Sequence, residues 1–223
     1  MQLTISKEIQ EKCPSLCVAT LEADVKNSEK CDELWQEITK AEEDFRQTYT
    51  TETLKQRTSI AATRTAYRAL GKDPSRYRPS NEALVRRVLQ GKELYHINTL
   101  VDINNLVSIR YGYSIGGFDT DKIKGDRLTL GIGQAGEPYE GIGRGPLNIE
   151  HLPVYRDEIG GIGTPTSDNE RTKIGLDIQH LLFIVNGYDG NREETLNCAK
   201  ALQSLLEKYA EGKNFRLRLY PEI

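Results

Sequence analysis

Residues 100–143 read LVDINNLVSIRYGYSIGGFDTDKIKGDRLTLGIGQAGEPYEGIG, and two kinds of chain meet inside this stretch, at Gly112. Before that glycine lies an apolar segment with Asn104 and Asn105 at its edge, where short amide side chains must find partners. After it, glycine recurs and apolar residues come in short runs such as DRLTLGIG, PYEGIG and LPVYRDEIGGIG. That pattern predicts short strands joined by tight turns.

Toward the N-terminus, Leu3 and Ile5 and then Leu16, Val18 and Leu21 predict two short strands, separated by the break at Cys13-Pro14-Ser15. Asn27 or Ser28 is placed to cap a helix whose apolar stripe is Leu34, Ile38, Ala41 and Phe45. A second helix is predicted from about Glu52 to Leu70, stopped by Gly71. A third opens at Ser80 or Asn81, carries Leu84, Val85, Val88 and Leu89, and closes at Gly91. Toward the C-terminus, the unbroken run LLFIVNGYDG predicts a strand buried on both faces. NREETLNCAKALQSLLEKYAEG predicts an amphipathic helix, and FRLRLY an alternating strand that closes the chain. The expected architecture is α+β, one domain over residues 1–223, with strands of the first 25 residues sharing sheets with those from Arg127 onward.

Composition narrows the function classes. The 223 residues carry 30 Lys and Arg against 33 Asp and Glu, a net charge of −3 that argues weakly against nucleic acid. The distribution is uneven, because Arg64–Lys92 holds eight bases and only Asp73 and Glu82 as acids. Such a region serves equally as a grip on phosphate backbone or as a solvated helical face. Cys13, Cys17, Cys31 and Cys198 have no second close pair, so ordinary thiols are expected rather than a zinc framework. The N-terminus shows no basic head followed by an apolar run, and no stretch approaches the roughly 18 apolar residues of a membrane span. A soluble cytoplasmic protein is the expectation.

Standard catalytic motifs fail on inspection. Gly131–Gly136 matches G-x-G-x-x-G by count, but Glu137-Pro138-Tyr139 follows and opens no helix for a pyrophosphate. No phosphate-binding loop and no nucleophile elbow occur, and His96, His151 and His180 are scattered. Neither a metal nor a cofactor is expected. What remains is polar side chains in glycine-rich surroundings: Asn104, Asn105, Glu137, Thr164, Ser167 and Asp168. Glycines let a ligand approach the backbone, but the same residues also serve plain turn chemistry.

The quoted stretch resembles the editing module of the phenylalanyl-tRNA synthetase beta subunit, built from that subunit's third and fourth domains. Val101, Asp102, Ile103, Asn105 and Val107 fit the family pattern V-V-D-[IV]-T-N-Y-V. Gly112 and Phe118-Asp119 fit its L-G-Q-P-[ML]-H-A-F-D, and Gly136-Glu137 its G-E turn. The segment LPVYRDEIGGIGTPTSDNERT stands where the family has a glycine-rich loop, more loosely matched.

The resemblance implies two packed mixed sheets flanked by helices, receiving the 3′ end of a mischarged tRNA and hydrolysing its ester by a positioned water. It points to Asn104, Asn105, Gly117 and Phe118 in the site, with Thr164, Ser167 and Asp168 from the polar loop. It gives Glu137 the recognition of a substrate hydroxyl. Gly116 falls on the family histidine, which implies a roomier pocket and a cognate amino acid other than tyrosine. A free module needs its own hold on tRNA, for which Arg76, Arg78, Arg86 and Arg87 are the candidates. No ligase segment is recognised, so a deacylase acting in trans is expected. A non-catalytic RNA- or amino-acid-binding module and a synthetase-docking adaptor are the alternatives.

Overall fold

The computed structural model describes residues 1–221. In chain order the strands and helices begin with β1 (Gln2–Ile5), α1 (Lys7–Lys12), β2 (Cys17–Asp24), α2 (Asp32–Thr48) and α3 (Thr58–Leu70). There follow α4 (Ser80–Leu89), α5 (Thr99–Tyr111), β3 (Ser114–Asp119), β4 (Arg127–Ile132), β5 (Glu140–Gly141) and β6 (Gly145–Pro146). The chain ends with β7 (Pro153–Arg156), β8 (Gly161–Gly163), β9 (His180–Gly187), α6 (Arg192–Tyr209) and β10 (Lys213–Tyr220).

Two four-stranded sheets organise the molecule, with orders β1-β4-β7-β8 and β10-β2-β9-β3. The first is mixed, since β1 runs parallel to β4 while β4–β7 and β7–β8 are antiparallel. The second is antiparallel throughout. As the sequence pattern predicts, β1 and β2 pair with strands beyond residue 126: Leu3 lies opposite Leu128, and Leu21 opposite Phe183. The two halves of the chain are therefore interleaved.

Side-chain alternation explains the layering. On β9, Leu181, Phe183 and Val185 face a cluster with Leu34 and Ile38 of α2, Ile103 and Leu106 of α5, and Leu202 of α6. Leu182 and Ile184 face the other way, onto Leu128 and Leu130 of β4, Tyr155 of β7 and Ile162 of β8. The order is helices, sheet, sheet, and the unbroken apolar run of β9 is what a strand buried on both faces requires.

Two local expectations are corrected. The α2 helix begins at Asp32 rather than at residue 28, because the Asn27 side chain is engaged elsewhere. It accepts from Leu100 N at 3.2 Å and donates to Gly175 O at 2.9 Å, tying the segment to α5. The helix predicted over 52–70 divides into a 3₁₀ turn, Thr53–Gln56, and α3, with extended backbone at Arg57. Arg57 leaves the helical path and its guanidinium donates to Ile109 O at 2.7 Å and to Arg110 O, covering the C-terminal carbonyls of α5. The α5 helix, which reads in the sequence as an apolar segment, carries no simple amphipathic stripe. Leu100, Ile103, Leu106, Val107 and Ile109 are all buried, so its 3.6-residue period is hidden in the sequence.

Candidate functional site

A cavity of about 440 Å³ opens where α4, α5, β3 and the loop after β8 meet. Each wall follows from a local rule. The α5 helix is capped by Asn98, whose side chain accepts from Val101 N at 3.0 Å. At helical spacing along α5, Val101, Asn104, Asn105 and Ser108 line the cavity. Asn104 is held by donating to Ile115 O at 3.1 Å, across to β3. The Asn105 side chain has no hydrogen-bond partner among the described residues and faces the space. Strand pleating puts Ile115 and Gly117 of β3 on the cavity side.

The loop Thr164–Asp168 supplies the polar floor. The Thr164 hydroxyl accepts from Ser167 N and donates to Ser167 O, each at 3.0 Å, closing a tight side-chain turn. That turn points Asp168 back at β3, where its Oδ2 accepts from Gly117 N at 3.0 Å. Among the described residues, no hydrogen-bond partner is found for Asp168 Oδ1, which lies toward the Phe118 side of β3. The approach needs bare backbone, since a Cβ on Gly163 would stand 2.9 Å from Oδ1 and one on Gly116 3.3 Å. Burial, opposed by the Gly117 N–H bond, pushes the Asp168 carboxyl up to about 7. Leu84, Val101, Ile115 and Ile174 make the walls apolar, and the half-exposed Ile97 and Ile142 form part of the lining.

Of the residues expected in the site, Asn104, Asn105, Gly117, Thr164, Ser167 and Asp168 come together here. Three do not. Gly116 and Phe118 lie on the opposite face of β3, in the layer between the sheets. Phe118 is fully buried there, and a Cβ on Gly116 would meet its ring at 2.8 Å. Gly116 therefore makes room for Phe118, and the reading that it enlarges the pocket is corrected. Glu137 lines a separate recess with Ser6, Gly131, Gln134 and Arg156. Its carboxylate is clamped in a bidentate pair with Arg156, both bonds at 2.6 Å, and accepts from Gln134 N at 2.9 Å. Burial acts to raise Glu137, but the Arg156 bonds, the Gln134 amide and the Arg156 charge outweigh it and lower the carboxyl. The expected convergence of Glu137 and Asn105 on one cavity does not occur.

The basic region also resolves into separate parts. Glu82, 1% exposed, accepts from Arg64 at 2.7 Å and from Arg86 at 2.8 Å, with Arg78 at 3.9 Å. Lys72 is buried and donates to Asn148 O at 3.1 Å. Arg86 is thus the counter-ion of a buried acid. Arg76 and Arg78 are exposed, and Arg87 lies over the Tyr95 ring at 3.8 Å. Sequence reasoning missed Ser80, Leu84, Val101 and Ile174 as lining residues. A helix start, two aliphatics on helices and one loop residue carry no chemical signature.

Among the described residues, no group of three or more His, Cys, Asp and Glu is placed to hold a metal. Nor is any helix long and apolar enough to cross a membrane. A comparison with curated proteins finds no match. An N-terminal fragment of the phenylalanyl-tRNA synthetase beta-subunit from Pyrococcus horikoshii is similar at 13% identity and a TM-score of 0.47. The likeness covers 99% of this chain and 54% of that one, so the chain spans about half its length. The B3/4 domain model matches residues 62–214, which include every wall of the cavity, and the chain belongs to the B3/4 domain family.

Proposed function

We propose that this protein is an aminoacyl-tRNA deacylase that acts in trans, taking the 3′ end of a mischarged tRNA into the cavity beside α5. The observation that carries the reading is the meeting of Asn104 and Asn105 with Thr164, Ser167 and Asp168 around about 440 Å³ of space. Those residues come from segments far apart in the chain, and the resemblance had singled them out separately. The volume lies within the usual range for small-molecule sites, and apolar walls with a few aimed polar groups are the usual composition. Leu84, Val101, Ile115 and Ile174 would receive the amino-acid side chain. Asn105, with a free amide, would bond the ester or the terminal ribose.

The α4 helix supports a hold on RNA. It contributes Ser80 and Leu84 to the cavity and carries Arg87 less than one turn beyond, while Arg76 and Arg78 stand in the loop before it. A basic strip beside the pocket would track the phosphates of an acceptor end. Arg86 is excluded from that role because Glu82 occupies it.

The direct experiment incubates the purified chain with a panel of tRNAs, each carrying a wrong radiolabelled amino acid, and follows release of the label. Turnover on at least one substrate is expected, with at least a tenfold loss in Asn105→Ala. Stoichiometric binding with no release from any member would replace the deacylase by a non-catalytic binding module.

A further inference from the structure

We propose that the cavity selects a branched aliphatic amino acid (valine, isoleucine or leucine) and seats its side chain at the end formed by Leu84, Val101 and Ile174. This rests on the deacylase reading above and adds to it the class of amino acid that is removed.

The cavity has two unlike ends. The α4 helix starts where α5 stops, since Asn81 Nδ2 donates to Gly112 O at 2.7 Å. Two helices of opposite direction thus line the space, and each changes character along it. On α4, Ser80 is followed one turn later by Leu84. On α5, Val101 is followed by Asn104 and Asn105 and then by Ser108. The hydroxyls of both helices therefore lie toward Gly112, where Ser80 N donates to Pro165 O of the polar loop at 2.8 Å. Leu84 and Val101 lie toward the other end.

Ile174 joins them there for a structural reason. Asn27 accepts from Leu100 N and donates to Gly175 O, which ties the chain beside Ile174 to the first turn of α5. Gly117 leaves the room that Ile174 needs, because a Cβ there would stand 2.8 Å from Ile174 Cδ1. Leu84, Val101 and Ile174 are each only partly buried, so apolar surface at this end remains to be covered.

Bonding capacity divides the same way. Around the aliphatic end the polar side chains already serve the protein. Asn27 and Asn98 accept from Leu100 N and Val101 N, and the Lys173 ammonium pairs with Glu170. Asp102 accepts from Trp35 Nε1 at 2.8 Å and from Ile97 N at 3.1 Å. A substrate hydroxyl brought there gives up its water and meets side chains that are already bonded, a loss an aliphatic side chain does not suffer. Glu137, the carboxylate that would read a tyrosine hydroxyl, is held by Arg156 in its separate recess. Asn105 and Ser80 lie on the polar side, placed for the ester and ribose that every aminoacyl-tRNA shares.

The test compares isosteres, since valine and threonine differ by a methyl against a hydroxyl. Amide analogues of the terminal nucleoside, 3′-aminoacylamino-3′-deoxyadenosines carrying valine, leucine, threonine or tyrosine, are titrated into the full chain by calorimetry. The matching esters on one tRNA are followed for turnover. The valyl amide should bind about 10- to 100-fold more tightly than the threonyl amide, with the same preference in kcat/KM for the esters. Ile174→Thr should narrow that ratio by at least about threefold. The ratio is taken within one protein, so a general loss of stability does not produce the change. Equal or tighter binding of the threonyl or tyrosyl amide, or a ratio unmoved in Ile174→Thr, overturns the aliphatic assignment, and turnover of those esters then leaves the deacylase reading standing. A valyl preference in binding with no ester turned over keeps the aliphatic pocket and overturns the deacylase. Absence of both binding and turnover overturns both.

Discussion

Replacing Asp168 by Asn should change the pH dependence of stability in a direction fixed by the raised carboxyl. In the folded chain the group stands at about 7 against an ordinary value of 3.8, a difference of about 3 units. The folded state therefore binds the proton more tightly than the unfolded chain between about pH 4 and 7. Stability is fully present below about pH 4 and is lost as pH rises through about 7, because the ionised form is disfavoured in the fold. At 1.36 kcal/mol per unit the ceiling is about 4 kcal/mol. The residue retains some exposure, so about 2 kcal/mol is the expected size. Asn keeps the shape and can accept from Gly117 N, but it does not titrate over this range. Urea unfolding of both proteins at pH 4.5 and pH 8 gives the comparison. The variant should gain about 2 kcal/mol relative to wild type between the two. A stability difference that does not move with pH would refute the assigned environment of Asp168.

Gly116→His should destabilise the fold rather than reshape the pocket, since its Cβ would meet the Phe118 ring at 2.8 Å. A loss of about 1–3 kcal/mol in chemical unfolding is expected, and an unchanged midpoint would contradict the packing. Glu82→Ala should cost about 3–5 kcal/mol, because Arg64 and Arg86 would be left without their buried counter-ion; a surface-like loss below about 0.5 kcal/mol would argue against the network. Glu137→Ala should leave deacylation within about threefold, since its recess lies outside the cavity, and a tenfold loss would return it to the site. Replacing Arg76, Arg78 and Arg87 by Ala should weaken tRNA binding and flatten its salt dependence by up to about three ions, read from filter binding at several salt concentrations. An unchanged slope would leave these residues as solvated surface.

Where pattern is local, the sequence was a sufficient guide. The strands at residues 2–5 and 17–24, the doubly buried β9 and the stop at Gly71 with φ +91° all follow from alternation, apolar runs and glycine's freedom. So does the α4 start at Ser80. For the site, Asn104, Asn105, Thr164, Ser167 and Asp168 were legible as polar residues in segments resembling a known module. Their separation in sequence hid which of them would meet. Leu84 and Ile174 carried no signal as lining residues, because an aliphatic side chain looks the same in a core and in a ligand pocket.

Only the tertiary structure decided the roles of Gly116, Glu137 and Arg86. Gly116 and Gly117 are neighbours in the chain, yet the pleat sends one between the sheets and the other to the cavity. Glu137 and Arg86 are charged in any reading, but the groups that neutralise them, Arg156 and Glu82, are known once the chain has folded. Composition and periodicity state what each residue can do. Which lone pair or cation remains free depends on contacts between distant segments, and those exist only in three dimensions.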